Sequence, residues 1–497
     1  MEKTKNFLAI DLGAGSGRGI IGKFSEKKVE LTEINRFDNQ IITLFGHDHW
    51  DIYDLYEKIK TSIKKASGMV DSLDGIGIDS WGVDFVFLEK SGNIIGLPNM
   101  YRDKRVDGIP EKVFEVISKD EIYKETGIQF LKLNTLYQIY SYRLENTYMF
   151  EFVDRILFLP DYLNYLLTGK KQNEYTISST SQMLNAESKK WSEPILRAIG
   201  LDKKVLSDVT EPGTIISKMH PCVKEELGLD EIDVLQVPSH DTASAIVAVP
   251  AEGENWAYLS SGTWSLLGVE LDKPLINGET YKNNYTNEGG AFGKIRFLKN
   301  VSGLWLLQES KRIWEEEGIK YSYDDLIQNA AKAEPFSGFI DTDAEIFLKP
   351  DNMPKAINEF LVKTGQKEIK DHFTMVRVIL EGLALKYREV IEILNSLLEK
   401  KIEVLHIIGG GSKNDLLNQM SADSTGLKIV AGPYEATAIG NLLLQATAKG
   451  IISSLDEARE IVRNSFELKQ IYPKNSTDWD NAFTEYKKIK HLAGEIW

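Results

Sequence analysis

"FLAIDLGAGSGRGIIGKF", residues 7–24, sets two apolar runs on either side of a small-residue turn, with five glycines in all and Asp11 near the end of the first run. Two familiar glycine loops do not fit it. A Walker loop closes on Gly-Lys-Ser/Thr at the mouth of a helix, and here no lysine follows the glycines until Lys23. The dinucleotide spacing G-x-G-x-x-G does occur at Gly17, Gly19 and Gly22, but it falls inside the second apolar run instead of opening a helix, so it reads as a chance match. What remains is a β-hairpin. Its turn is either an ordinary Gly-rich connection or an anion nest, in which the glycines expose successive N–H groups to a phosphate and Ser16 and Arg18 add donors. In the second case Asp11 is placed to hold a hydrated magnesium ion, which keeps most of its waters and takes one or two carboxylate contacts.

Outward from this hairpin, "KKVELTEINRF" (27–37) continues as strand, and "DLYEKIKTSIKKASGMV" (54–70) places Leu55, Ile59 and Ile63 on one helical stripe. "GIGIDSWGVDFVFL" (75–88) returns to strand. In "IDVLQVPSHDTASAIVAVP" (232–250), Pro238 closes a strand and a helix of small residues follows. "WAYLSSGTWSLLGVEL" (256–271) then repeats the opening pattern of strand, Gly/Ser/Thr turn and strand, which suggests a duplicated architecture. Gly262, with hydroxyls at Ser260, Ser261 and Thr263, makes a second donor-rich turn, so two such turns could grip one polyphosphate from opposite domains. Further on, "HFTMVRVILEGLALKYREVIEILNSLLEK" (372–400) keeps Val376, Ile379, Leu380, Leu383, Tyr387, Val390, Ile391 and Leu394 on one helical face. It leads to the strand "IEVLHIIGGG" and then to a helix near "KNDLLNQM".

The chain has 497 residues, 42% of them hydrophobic, more than one core usually fills, which predicts two large domains, residues 1–246 and 247–497. With 59 Lys+Arg against 74 Asp+Glu, a net charge of -15 and no dense basic tract, nucleic acid is not an expected partner. One cysteine, Cys222, excludes an intrachain disulfide and a Cys-based metal cage. The N-terminal stretch lacks a signal-peptide core and no apolar run approaches the length of a membrane span, so the expected location is cytoplasmic, without membrane contact.

Among candidate site residues, Asp241 in "PSHDTASA" stands between a strand end and a helix start. It is either a helix cap or a general base, and in the second role the helix N-terminus is expected to keep it ionised at neutral pH. "IDSWGVD" offers Gly82 for close approach, Trp81 as an apolar wall and Asp79 or Asp84 for hydroxyls, with a plain core role for Trp81 as the alternative. "YRDKRVDG", with Arg102 and Asp103, reads as a solvated charge cluster. Asn300 and Gln308, eight apart, do not share a helix face. Gly409, Gly410 and Gly411 either expose bare backbone to a flat base or form a strand-to-helix turn. His47 and His49 are a weak pair, and no histidine outside "PSHD" is given a role.

"AIDLGAGSGR", "GIDSWGVDFVFL", "GLPNMYRDKRVDG", "LPDYLNYLLTGK", "PSHDTASA", "YLSSGTWSLLG", "TNEGG", "GLWLLQ" and "IIGGGSKNDLLNQMSAD" come in an order that resembles the FGGY-type carbohydrate kinases, from about residue 7 to about residue 450. The resemblance implies an α/β fold of two ribonuclease-H-like domains, of the actin/sugar-kinase ATPase type, around a central cleft. It also implies ATP and Mg2+ as cofactors and transfer of the γ-phosphoryl group to O1 of a ketose, L-rhamnulose. Residue by residue, it makes Asp241 the catalytic base and Gly82, His240, Thr242 and Asn300 the sugar set. Ala14 to Arg18, Thr263, Gln308 and one glycine of Gly409 to Gly411 become the nucleotide set, and Asp11 the metal-associated acid. One departure is Gly15, where the family usually has serine, so a hydroxyl is lost from the first turn. The rivals are a kinase for another ketose (L-fuculose or D-xylulose), an actin- or Hsp70-like ATPase acting as a binding module, and a nicotinamide dehydrogenase.

Overall fold

The computed structural model describes residues 4–496. The chain divides into two compact units. The first comprises residues 1–250, 270–298 and 436–466, and the second residues 251–269, 299–435 and 467–497.

In the first unit, the opening hairpin forms as its apolar runs require. Strands Lys5–Leu12 and Ser16–Ser25 pair antiparallel, with Asp11 opposite Arg18, and Lys28–Asp38 adds to the outer edge. On its other side Lys5–Leu12 pairs in parallel with Gly75–Ser80, which places Asp11 level with Asp79. The sheet continues to Asp233–Gln236 and Thr214–Lys218. Glycines inside the second strand are there for packing. A Cβ at Gly17 would stand 2.4 Å from the Phe37 ring, at Gly19 2.6 Å from Asn35 Oδ1, and at Gly22 2.6 Å from Leu442. Helix Ile52–Met69 buries Leu55, Ile59 and Ile63 as its spacing predicts.

A second core of this unit gathers around the antiparallel strand pair Phe85–Leu88 and Arg155–Phe158, with helices Ile109–Val116 and Thr135–Glu145. "GIGIDSWGVDFVFL" is therefore two strands. The chain breaks at residues 81–84, with Val83 at φ 69°, and passes from one sheet to another. Helix Ala436–Ala448, far along the sequence, belongs to this unit too. Its Gly440 meets the short helix Asp241–Val247 so closely that a Cβ would lie 1.7 Å from the Ser244 carbonyl oxygen.

In the second unit, Trp256–Ser261 and Trp264–Leu271 form the repeated hairpin, and Trp256–Ser261 pairs in parallel with Val404–Ile408. Hairpin plus parallel neighbour is the same arrangement as in the first unit, so the duplication read from the pattern is present in the topology. Lys428–Ala431 and Lys469–Ile471 complete this side of the sheet. Helix His372–Leu397 buries all eight residues of its expected apolar face. Among the described residues, no helix is long and apolar enough to cross a membrane.

Candidate active site

The first hairpin turn folds its carbonyls inward. Gly13 N–H donates to Ser16 O at 2.9 Å, Asn39 N–H donates to Gly15 O at 3.3 Å, and the Asn39 amide donates to Gly13 O. Gly15 is exposed and nothing stands within 4 Å of where its Cβ would be. Arg18 sets Nε and Nη2 on Asp11 Oδ2 at 2.9 and 2.6 Å, so this guanidinium and this carboxylate compensate each other at the base of the turn.

Three carboxylates of the first unit interact there. Asp79 is fully buried; Asn441 Nδ2 donates to its Oδ2 at 2.5 Å, while its Oδ1 has no hydrogen-bond partner among the described residues. Burial, then the charges of Asp11 and Asp241, hold Asp79 well above the usual carboxylate range. Asp241 stands on the first turn of its helix, behind a cap position filled by His240. Its Oδ1 accepts from the Thr242 hydroxyl at 3.0 Å and from the Thr242 N–H.

The expectation that a helix N-terminus keeps Asp241 ionised at neutral pH is opposed by its surroundings. Burial and the Asp11 charge outweigh the Thr242 hydrogen bonds and push the group up to about 7. Asp241 is also not the cap of its helix.

The loop carrying these residues is held from behind. Ser239 N–H donates to Glu174 Oε2 at 3.1 Å and His240 N–H to Thr176 Oγ1 at 3.2 Å. Glu174 is buried and raised to about 7 by that burial. His240 faces Gly82, whose Cβ would lie 3.4 Å from its Nε2. Gly82, His240, Asp241 and Thr242 thus come together on one wall of the first unit.

Other candidates resolve differently. Asp84 is buried and satisfied internally, accepting from the indoles of Trp50 at 2.7 Å and Trp81 at 2.9 Å and from Gln138 at 3.1 Å. It is structural, as is Trp81, packed 4.4 Å from Trp50. "YRDKRVDG" is not a solvated cluster. Asp103 is buried and accepts from the N–H groups of Asp48 and Arg105, with His47 Nδ1 at 3.0 Å.

In the second unit, Asn300 lies on strand Ile295–Ser302 and Gln308 on helix Trp305–Glu316, so the expectation drawn from a shared helix does not apply. Gln308 Oε1 accepts from Thr263 Oγ1 at 3.0 Å. The second hairpin turn is braced by Gly303 N–H on Thr263 O at 3.1 Å and Leu304 N–H on Gly262 O at 2.8 Å. Gly303 must be glycine there, because a Cβ would sit 2.5 Å from Gly262 O.

The three glycines after Val404–Ile408 are not equivalent. Gly411 is buried with its Cβ position 2.0 Å from Ser261 Oγ, and Gly409 has φ 80°. Gly410 is exposed with open space around it.

Asn441, Glu174, Arg296 and Glu288 were not singled out from sequence. Each stands 48 or more positions from its partner in the site, and only Glu288, within "TNEGG", falls in a quoted motif.

Comparison with known proteins places the chain in a family. The N-terminal domain of the FGGY family of carbohydrate kinases matches residues 6–248, and the C-terminal domain of the same family matches residues 257–449. Proteins named "Rhamnulokinase" are similar along nearly the whole chain. That of Bacteroides thetaiotaomicron is 45% identical over 97% of this chain and 99% of its own, and that of Bacillus subtilis 41% identical over 94% and 96%. Among solved structures, gluconate kinase from Lactobacillus acidophilus superposes with a TM-score of 0.83 at 17% identity over 100% of both chains. Plasmodium falciparum glycerol kinase with ADP superposes at 0.77 and 17% identity over 99% of this chain and 98% of its own. These likenesses carry the expected α/β sugar-kinase fold, and with two family domains and full-length relatives the chain belongs to the FGGY family of carbohydrate kinases.

Proposed function

We propose that this kinase transfers the γ-phosphoryl group of ATP to O1 of L-rhamnulose, with Asp241 as general base. The carrying observation is Asp241 itself, on a helix start beside His240, Thr242 and Gly82, with an ionisation near neutral pH. A base of that strength takes a hydroxyl proton during transfer without being permanently protonated. The proton of O1 passes to Asp241, the new O–P bond forms as the bond from the γ-phosphorus to ADP breaks, and the products are ADP and ketose 1-phosphate. The ketose comes from the relatives' shared name.

His240, Thr242 and Gly82 on the first unit, and Asn300 on the second, are assigned to the sugar. Ala14 to Arg18 on the first unit, and Thr263, Gln308 and the exposed Gly410 of the Gly409 to Gly411 turn on the second, are assigned to the nucleotide. Asp11, paired with Arg18 at the base of the turn, is a hard oxygen donor of the kind that suits a hydrated divalent cation. Asp11 would hold magnesium through water, and the ion when bound supplies neutralisation of phosphate charge. Among the described residues no group of three or more His, Cys, Asp or Glu side chains could hold a metal directly.

The test is ADP release with magnesium and ATP against L-rhamnulose, L-fuculose, D-xylulose and no sugar. L-Rhamnulose should exceed the other ketoses by about tenfold or more in kcat/KM. A higher value for another ketose replaces the substrate, and equal ADP release without sugar replaces the kinase reading by an ATPase.

A further inference from the structure

Behind His240 lies a buried charge relay that the reaction as described does not use. Arg296 is wholly enclosed on strand Ile295–Ser302. Its Nε donates to Gly289 O at 2.8 Å, and its Nη2 lies 2.9 Å from Glu288 Oε2 and 2.9 Å from His240 Nδ1. A guanidinium has donors and no acceptor, so Nδ1 must be the accepting nitrogen. The proton of the neutral ring is then on Nε2.

An imidazolium would press N–H against N–H in a dry place, and burial together with the Arg296 charge holds His240 well below its ordinary range. Glu288 Oε2 is itself 3.5 Å from Nδ1 and would favour the opposite tautomer, but Arg296 stands closer to both. Nε2 faces the other way. Asp241 Oδ1 is 3.5 Å from it, and the missing side chain of Gly82 leaves room in front of it, with Thr180 Oγ1 near the same place.

We propose that Arg296, with Glu288 as its counter-charge, is a positioning residue that locks His240 as its Nε2–H tautomer, so that the ring presents a fixed donor, and never an acceptor, to a ketose oxygen beside Asp241. The role of the donor rests on the sugar-kinase reading; the lock does not. It makes the site selective for a substrate with an oxygen lone pair at that point, since an unpaired buried donor is penalised.

The test uses the full chain labelled with 15N-histidine. There are seven histidines, and the His240 signals are assigned by their loss in His240→Gln. Long-range 1H–15N correlation of the wild type at pH 6 to 8 should show Nε2 protonated and Nδ1 bare. Arg296→Met should give a tautomer mixture and raise KM for L-rhamnulose at least about fivefold, with KM for ATP changed less than about twofold. Arg296→Lys, which keeps a donor, should restore the Nε2–H signal.

A wild type with Nδ1 protonated, or with an imidazolium at pH 7, overturns the lock, and this spectrum decides the matter even if Arg296→Met does not fold. A switched tautomer with unchanged ketose KM overturns the donor role. A wild type that shows the Nε2–H signal yet phosphorylates no ketose overturns the sugar-kinase reading, and the donor role with it, while supporting the lock.

Discussion

Replacing Asp241 by Asn should abolish phosphoryl transfer and at the same time stabilise the first unit, with a gain that depends on pH. The carboxyl has an ordinary value of 3.8, and burial first and the Asp11 charge second move it in the fold to about 7. Between those values the folded state keeps a proton that the unfolded state has released, so wild-type stability falls as pH rises. Below about 4 both states hold the proton and the penalty is absent; above about 7 both have lost it and the penalty is complete. A shift of about three units corresponds to at most about 4 kcal/mol. Because 29% of the side chain is still reached by water, the expected figure is about 2–4 kcal/mol.

Asn has no such titration, so its advantage should be near zero at pH 4 and largest at pH 8, amounting to a rise of about 4 °C or more in the first unit's melting temperature. Scanning calorimetry of both proteins at the two pH values reads this, and a coupled ADP assay should show turnover lower by about 100-fold or more. An Asn variant that melts below the wild type at pH 8, or whose advantage is the same at both pH values, refutes the ionisation penalty. Turnover within tenfold of wild type removes Asp241 as the base.

Gly440→Ala forces a Cβ to within 1.7 Å of the Ser244 carbonyl. The helix bearing Asp241 must shift, lowering urea stability by about 3 kcal/mol and kcat by about 100-fold. Gly15→Ser meets open space at normal φ. It should leave the melting temperature unchanged and KM for ATP within about threefold, because backbone N–H groups suffice for phosphate; a steep drop in that KM would show that the absent hydroxyl matters. Lys386→Met removes an ammonium enclosed at 3.0 Å from Asp341, 2.8 Å from Asp343 and 3.3 Å from Glu389. With those carboxylates left uncompensated, the second unit should lose about 3–5 kcal/mol, read as a fall in its own melting transition.

The legible parts of the molecule were those written in neighbouring residues. Leu55, Ile59 and Ile63, and the eight apolar residues from Val376 to Leu394, announce buried helix faces by spacing alone, because the helical period places them together whatever else the chain does. The two hairpins are visible for the same reason. "GIGIDSWGVDFVFL" was less legible, since a continuous apolar run does not reveal that the chain changes sheets at residues 81–84. "YRDKRVDG" misled because its charges are partnered by His47 and Asp48, some 55 residues earlier. Arg296 carries no local signature, Glu288 is visible only as part of "TNEGG" with no role attached, and only pairing across the hairpin of Thr286–Gly289 with Ile295–Ser302 brings them to His240.

By itself the sequence determined that Asp241 stands at a helix start after a strand, that two donor-rich turns repeat, and that the order of motifs is that of a sugar kinase. Only the tertiary structure decided the chemistry of that aspartate. Its ionisation near 7 comes from dehydration and from Asp11, 230 positions away, and both act through space at distances that sequence separation does not encode.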